Sequence, residues 1–79
     1  NMKTIFNVKS GNTLPPHGSP QDRGSADAWY QRDYEPHWWP EGTGHGIKVI
    51  AADMTEDQIA EYKEGFDRQE ALGDRKDWG

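Results

Sequence analysis

Hydrophobic positions are sparse along this chain and fall into two spacings. Between Lys3 and Lys9, Ile5, Phe6 and Val8 sit among Thr4, Asn7 and the two lysines, which predicts a short strand closed by Ser10-Gly11-Asn12. Leu14-Pro15-Pro16-His17-Gly18 reads as an extended loop, because proline fixes its own φ and restricts the residue before it. Helical spacing begins at Ser19-Pro20. Ser19 suits an N-cap, Pro20 the first helical position and Asp22 the positive end of the helix dipole. Ala26, Trp29, Tyr30 and Tyr34 then share one face, giving a helix over about 20–33 bounded by Pro36. Gly24 weakens that helix by about 1 kcal/mol relative to alanine. Residues 36–46 are turn-rich. Ile47, Val49 and Ile50 predict a second short strand, with the first strand as its available partner, although a lone two-stranded ribbon is marginal in water.

The clearest pattern lies in the last third. Thr55 and Gln58 have the spacing of a capping box, and Met54 and Ile59 that of a hydrophobic staple. Ile59, Tyr62 and Phe66 form an inward stripe, Glu64 and Arg68 an i,i+4 pair on the outer face, and Gly73 a C-terminal cap. The prediction is a helix over about 55–72, then a charged tail over 74–79 in which Trp78 folds back on the core. The fold class that follows is α+β: two helices with a minor two-stranded β element, in one small domain over 1–79, with loops at 10–18 and 36–46.

Composition changes that picture in one respect. Ile, Leu, Val and Phe total only ten residues, so the four Trp and three Tyr must supply much of the core. The chain has no cysteine, which favours a reducing cytoplasm for so small a domain. No apolar run approaches the roughly 20 residues of a membrane span. The net charge of −5 is confined to residues 53–79, which hold nine acids against four bases. A direct nucleic-acid binder needs a basic face, so the expected partner is a protein with a basic surface.

Trp38 and Trp39 are the most informative pair, because exposed tryptophan is enriched at binding hot spots. With Tyr34 and His37 they form the candidate binding patch, for which Glu61, Glu64 and Asp67 offer a charged rim. The opposing reading packs both indoles between the helices as missing core. His17, His37 and His45, with Glu41, are weak metal candidates whose spacing fits no compact motif, so neither metal nor other cofactor is assigned. Gly42-Thr43-Gly44-His45-Gly46 resembles a phosphate-cradling loop, but a strand follows it and no helix, which favours a plain turn. No nucleophile with a matching base stands out, and the chain reads as a non-enzyme.

The run Met2 to Pro20, continued by Asp22-Arg23-Gly24-Ser25-Ala26-Asp27, and the ending Tyr62-Lys63-Glu64-Gly65-Phe66 with Gly73-Asp74-Arg75-Lys76-Asp77-Trp78, resemble small uncharacterised accessory proteins of enterobacterial lambdoid phages and prophages. A much weaker similarity, through Arg23-Gly24 and Tyr62-x-x-Gly65-Phe66, is to ribosome modulation factor, whose family is basic where this chain is acidic. The resemblance implies a phage or prophage accessory protein in the cytoplasm of a bacterial host, with a host or phage protein as the expected partner, and we read its role as binding and modulating a host protein. The alternatives are a structural homo-oligomer using the aromatic loop as a self-interface, and a ribosome-associated or nucleic-acid-mimicking regulator.

Overall fold

The computed structural model describes residues 15–73 and 75–76. Its order is helix α1 (Pro20–Trp29), strand β1 (His37–Trp38), strand β2 (Val49–Ile50), a 3₁₀ turn (Ala51–Asp53) and helix α2 (Glu56–Leu72). The architecture is the expected α+β. Among the described residues, no helix is long and apolar enough to cross a membrane. The strand predicted over 3–9 and Trp78 lie outside the described residues.

The helix starts follow their sequence signals. Ser19 Oγ accepts from the Asp22 N–H at 3.3 Å, with Pro20 at the first helical position. At α2 the capping box is closed on both sides: Thr55 Oγ1 accepts from the Gln58 N–H at 3.1 Å, and Gln58 Oε1 from the Thr55 N–H at 3.0 Å. Gly73 ends α2 at φ 78°, a left-handed conformation that glycine adopts without a Cβ clash. The outer-face i,i+4 ion pair among the described residues is Lys63–Asp67, not the expected Glu64–Arg68.

Three expectations are corrected. First, α1 ends at Trp29, not near residue 33, because Gln31 takes φ 60° and turns the chain away. The turn is tied down by the Gln31 amide donating to the Lys76 carbonyl at 2.8 Å and by the Lys76 N–H donating to the Trp29 carbonyl. Lys76 thus docks on the C-terminal end of α1. Second, the buried face of α1 is Pro20, Gly24, Asp27 and Ala28, whereas Trp29 of the expected face is exposed. Third, β2 pairs antiparallel with His37–Trp38, inside the segment read as turns, in the register His37↔Ile50 and Trp38↔Val49.

The two glycines explain how the helices pack. A Cβ built on Gly24 would lie 2.0 Å from the Tyr62 carbonyl oxygen, and one on Gly65 would lie 2.2 Å from the Gln21 carbonyl oxygen. The helices cross backbone against backbone, with Ser25 Oγ donating to Gln69 Oε1 at 3.2 Å across the same contact. Gly24 is therefore required for packing, which outweighs its cost in helix propensity.

This crossing reverses the usual effect of Gly→Ala in a helix. Gly24→Ala and Gly65→Ala are each expected to cost about 2–3 kcal/mol, or roughly 10–20 °C in Tm for a domain of this size. Gly44→Ala is the control: its Cβ meets nothing within 4 Å, and only its φ of 81° is unfavourable, a penalty of about 1–2 kcal/mol. Thermal melts by circular dichroism decide the point, and a Gly65→Ala variant that melts higher than wild type would contradict the crossing.

Candidate functional site

The described interior is built on a polar cluster. Tyr62 is fully buried and Asp27 is 4% exposed, and the Tyr62 hydroxyl donates a hydrogen bond to Asp27 Oδ2. The same hydroxyl oxygen accepts from the Glu35 N–H at 3.1 Å. Arg32 Nη1 reaches Asp27 Oδ1 at 3.3 Å. His37 Nδ1 lies 2.8 Å from the Glu35 carbonyl oxygen and 3.7 Å from Asp27 Oδ2. Both neighbours are acceptors, so Nδ1 carries a hydrogen. Burial raises the Tyr62 phenol well above its usual range, and the hydrogen bond to Asp27 raises it further.

Aromatic rings close over this cluster. Tyr34 meets Tyr62 and Phe66 edge to face, with ring centroids 5.3 and 5.2 Å away, and His37 lies 5.8 Å from Tyr62. Tyr34 nevertheless stays 46% exposed. Lys63, on the adjoining edge of α2, is held above the usual lysine range by its hydrogen bond to Asp67, with a smaller contribution from Tyr34.

The four residues of the expected patch therefore divide. Tyr34 and His37 come together on Tyr62. Adjacent strand residues point to opposite sides, so Trp38 faces away from His37 and lies across from Val49. Both tryptophans are half-buried, and Trp38 Nε1 is buried without a hydrogen-bond partner. Trp39 turns towards Lys48, whose ammonium lies 6.0 Å from the ring centroid. The expected acidic rim divides too. At about 100° per residue, Asp67 flanks the Tyr34 edge of α2, Glu61 the opposite flank and Glu64 the back.

Clefts open on the described surface at the ribbon and at the helix crossing. One, of about 280 Å³, lies between Glu35-Pro36-His37 on one side and Lys48, Ile50, Ala51 and Ala52 on the other. Ile50, in its wall, is 50% exposed, and Ile47, next to Lys48 in sequence, is 85% exposed. The other, of about 440 Å³, runs along the helix crossing past Gln21, Ser25, Gly65, Arg68 and Leu72. Asp27 and Tyr62 line neither cleft.

The histidines are also separated. His17 Nδ1 and His45 Cδ2 both lie within 4 Å of the position a Gly42 Cβ would take, and the Glu41 carboxylate packs under Gly46. His37 belongs to the Asp27 cluster instead. Among the described residues no group of three acidic, histidine or cysteine side chains is placed to hold a metal. Gly42, Gly44 and Gly46 all take positive φ, so the segment is a tight turn, which Arg23 Nη1 ties to α1 by donating to Thr43 Oγ1 at 3.2 Å. Asp27 and the Tyr62 hydroxyl were missed by pattern reading. The available signal was Asp27 at helical spacing with Pro20, Gly24 and Ala28, a polar residue on a face of small ones.

Tyr62→Phe leaves the Asp27 carboxylate and the Glu35 N–H short of a partner and is expected to cost about 1–3 kcal/mol. The raised phenol pKa adds a pH signature. The unfolded tyrosine ionises near pH 10 while the folded one stays neutral. The contribution is fully present below pH 10 and falls as pH rises towards the higher folded value. Urea melts from pH 8 to 11 are expected to show that alkaline loss in wild type and not in Tyr62→Phe. Equal slopes in the two proteins would remove the buried phenol from the account.

Compared with family models, curated proteins and solved structures, the chain matches none.

Proposed function

We propose that this chain is a phage or prophage accessory protein that acts by binding another protein and not by catalysis. The observation that carries the reading is the distribution of polar and apolar groups. Asp27, Tyr62, Arg32 and His37 are engaged with one another, while Tyr34, Ile47 and Ile50 stand exposed, Ile50 in the wall of a cleft. Groups bonded to each other inside a domain hold it together. Apolar side chains left on the surface in a chain this short of them give a partner something to bury. The similarity of the two ends of the chain to lambdoid phage proteins supports the accessory role, and that origin makes the host cytoplasm its working place.

The binding face, on this reading, is the His37–Ile50 side of the ribbon with Tyr34, Trp39 and Lys48 at its edges. Trp38 supports the ribbon from the other side. The reading is tested by affinity capture from an enterobacterial lysate with wild type, Ile50→Asp and Trp39→Ala, after melts have shown that all three fold. We expect one host protein to be retained by wild type and its yield to fall by roughly tenfold or more in both variants. Retention undiminished in both variants would move the face elsewhere. Sedimentation showing concentration-dependent self-association abolished by Ile50→Asp would favour the homo-oligomer.

A further inference from the structure

Helix α1 ends in a Schellman motif. The Gln31 N–H donates to the Ala28 carbonyl at 3.1 Å and the Arg32 N–H to the Asp27 carbonyl at 2.8 Å, with Tyr30 as the cap residue before them. The residue after the cap must be left-handed in this motif, and glycine usually fills it. Here it is Gln31, at φ 60°. A Cβ makes that backbone unfavourable, so contacts outside the helix must hold it. They come from residue 76. The Lys76 N–H donates to the Trp29 carbonyl, and the Lys76 carbonyl accepts from the Gln31 side-chain amide at 2.8 Å. Both contacts are to the backbone of residue 76, and the side chains of Arg75 and Lys76 stay exposed.

The same motif sets the Asp27 cluster. An apolar contact often accompanies this kind of helix ending, between the residues joined by its longer bond. Here those residues are Asp27 and Arg32, and their contact is an ion pair at 3.3 Å. The other Asp27 oxygen lies 3.7 Å from His37, which stands in the wall of the cleft beside β2. We propose that residues 75–76 are a strap that controls this wall. Seated, the strap holds Gln31 left-handed, and thereby Arg32 on Asp27 and His37 in its place. Released, it lets the end of α1 unwind and loosens Arg32 and His37 together. Glutamine is what makes the ending conditional, because glycine would keep the turn unaided. The device does not depend on the binding role proposed above, since it joins the end of the chain to the cleft whatever the cleft receives.

Amide hydrogen exchange of the full chain, followed by NMR, tests it. Lys76→Ala keeps both backbone contacts and is expected to leave the Arg32 and Glu35 amides as protected as in wild type. Lys76→Pro removes the N–H. Exchange at Arg32 and Glu35 is then expected to rise roughly tenfold or more, with shifts at His37 and Trp38. In a Gln31→Gly background the same proline is expected to change neither, because the turn no longer needs the strap. A tail that merely added stability would not show that dependence on residue 31. Proline effects that are absent or confined to residues 29–31 overturn the proposal, as does an equal effect in both backgrounds. Acceleration spread through the interior of α2 also overturns it, by making residue 76 a general support of the fold.

Discussion

The hydrogen bond from the Tyr62 hydroxyl to the Asp27 carboxylate is the contact on which the described fold depends. A carboxylate this deeply buried is costly unless its lone pairs are satisfied. Its partners come from three parts of the chain. Asp27 lies in α1 and Tyr62 in α2, while Arg32, the Glu35 N–H and His37 lie in the segment between α1 and β1. One cluster thereby fixes the angle of the helices and the path that carries the chain to the ribbon. It also depends on the glycines, because Gly24 sits against the carbonyl of Tyr62 itself. A side chain there would lift the backbone of Tyr62 and withdraw its hydroxyl from Asp27.

This arrangement answers the shortage of aliphatic residues. A small domain usually obtains cohesion from a stripe of Leu, Ile and Val on each helix. Here α1 offers proline, two small residues and an aspartate, and α2 offers a tyrosine and a glycine. Close backbone approach replaces side-chain volume, and the interior hydrogen bond supplies directionality that dispersion alone lacks. Tyr34 and Phe66 complete the packing edge to face, which orients the rings.

How far the sequence was legible follows from which signals are local. The start of α1, both ends of α2 and the position of β2 were readable, because caps, staples and β-branched runs act within a few residues. The end of α1 was not: Gln31 is not a residue type that marks left-handed backbone, and its anchor, Lys76, is 45 positions away. The buried face of α1 was read about one position too far round, since Trp29 and Tyr30 outweigh Gly24 and Ala28 on any hydrophobic count. β1 was hidden among prolines and glycines, and its pairing depends on where α2 places His37. The candidate patch was grouped by nearness in sequence. Strand alternation then put Trp38 on one side and His37 on the other, a division that becomes visible only once 37–38 is known to be a strand. Asp67, Glu61 and Glu64 were likewise grouped by charge, and the helical turn separates them.

The same economy bears on the binding role. In most small domains a surface isoleucine is surplus, because the core already holds the rest. This chain has four isoleucines, and two of them, Ile47 and Ile50, lie on the surface beside the ribbon. Neither supports the helix crossing, which is made by glycines and closed by tyrosines. Cohesion and surface apolarity are thus assigned to different residues, Tyr62, Asp27, Gly24 and Gly65 for the first, and Ile47, Ile50 and Tyr34 for the second, with only Tyr34 touching both. A fold organised in this way allows the exposed face to change its side chains without disturbing the interior. That separation is the physical reason for placing the proposed binding face on the ribbon side.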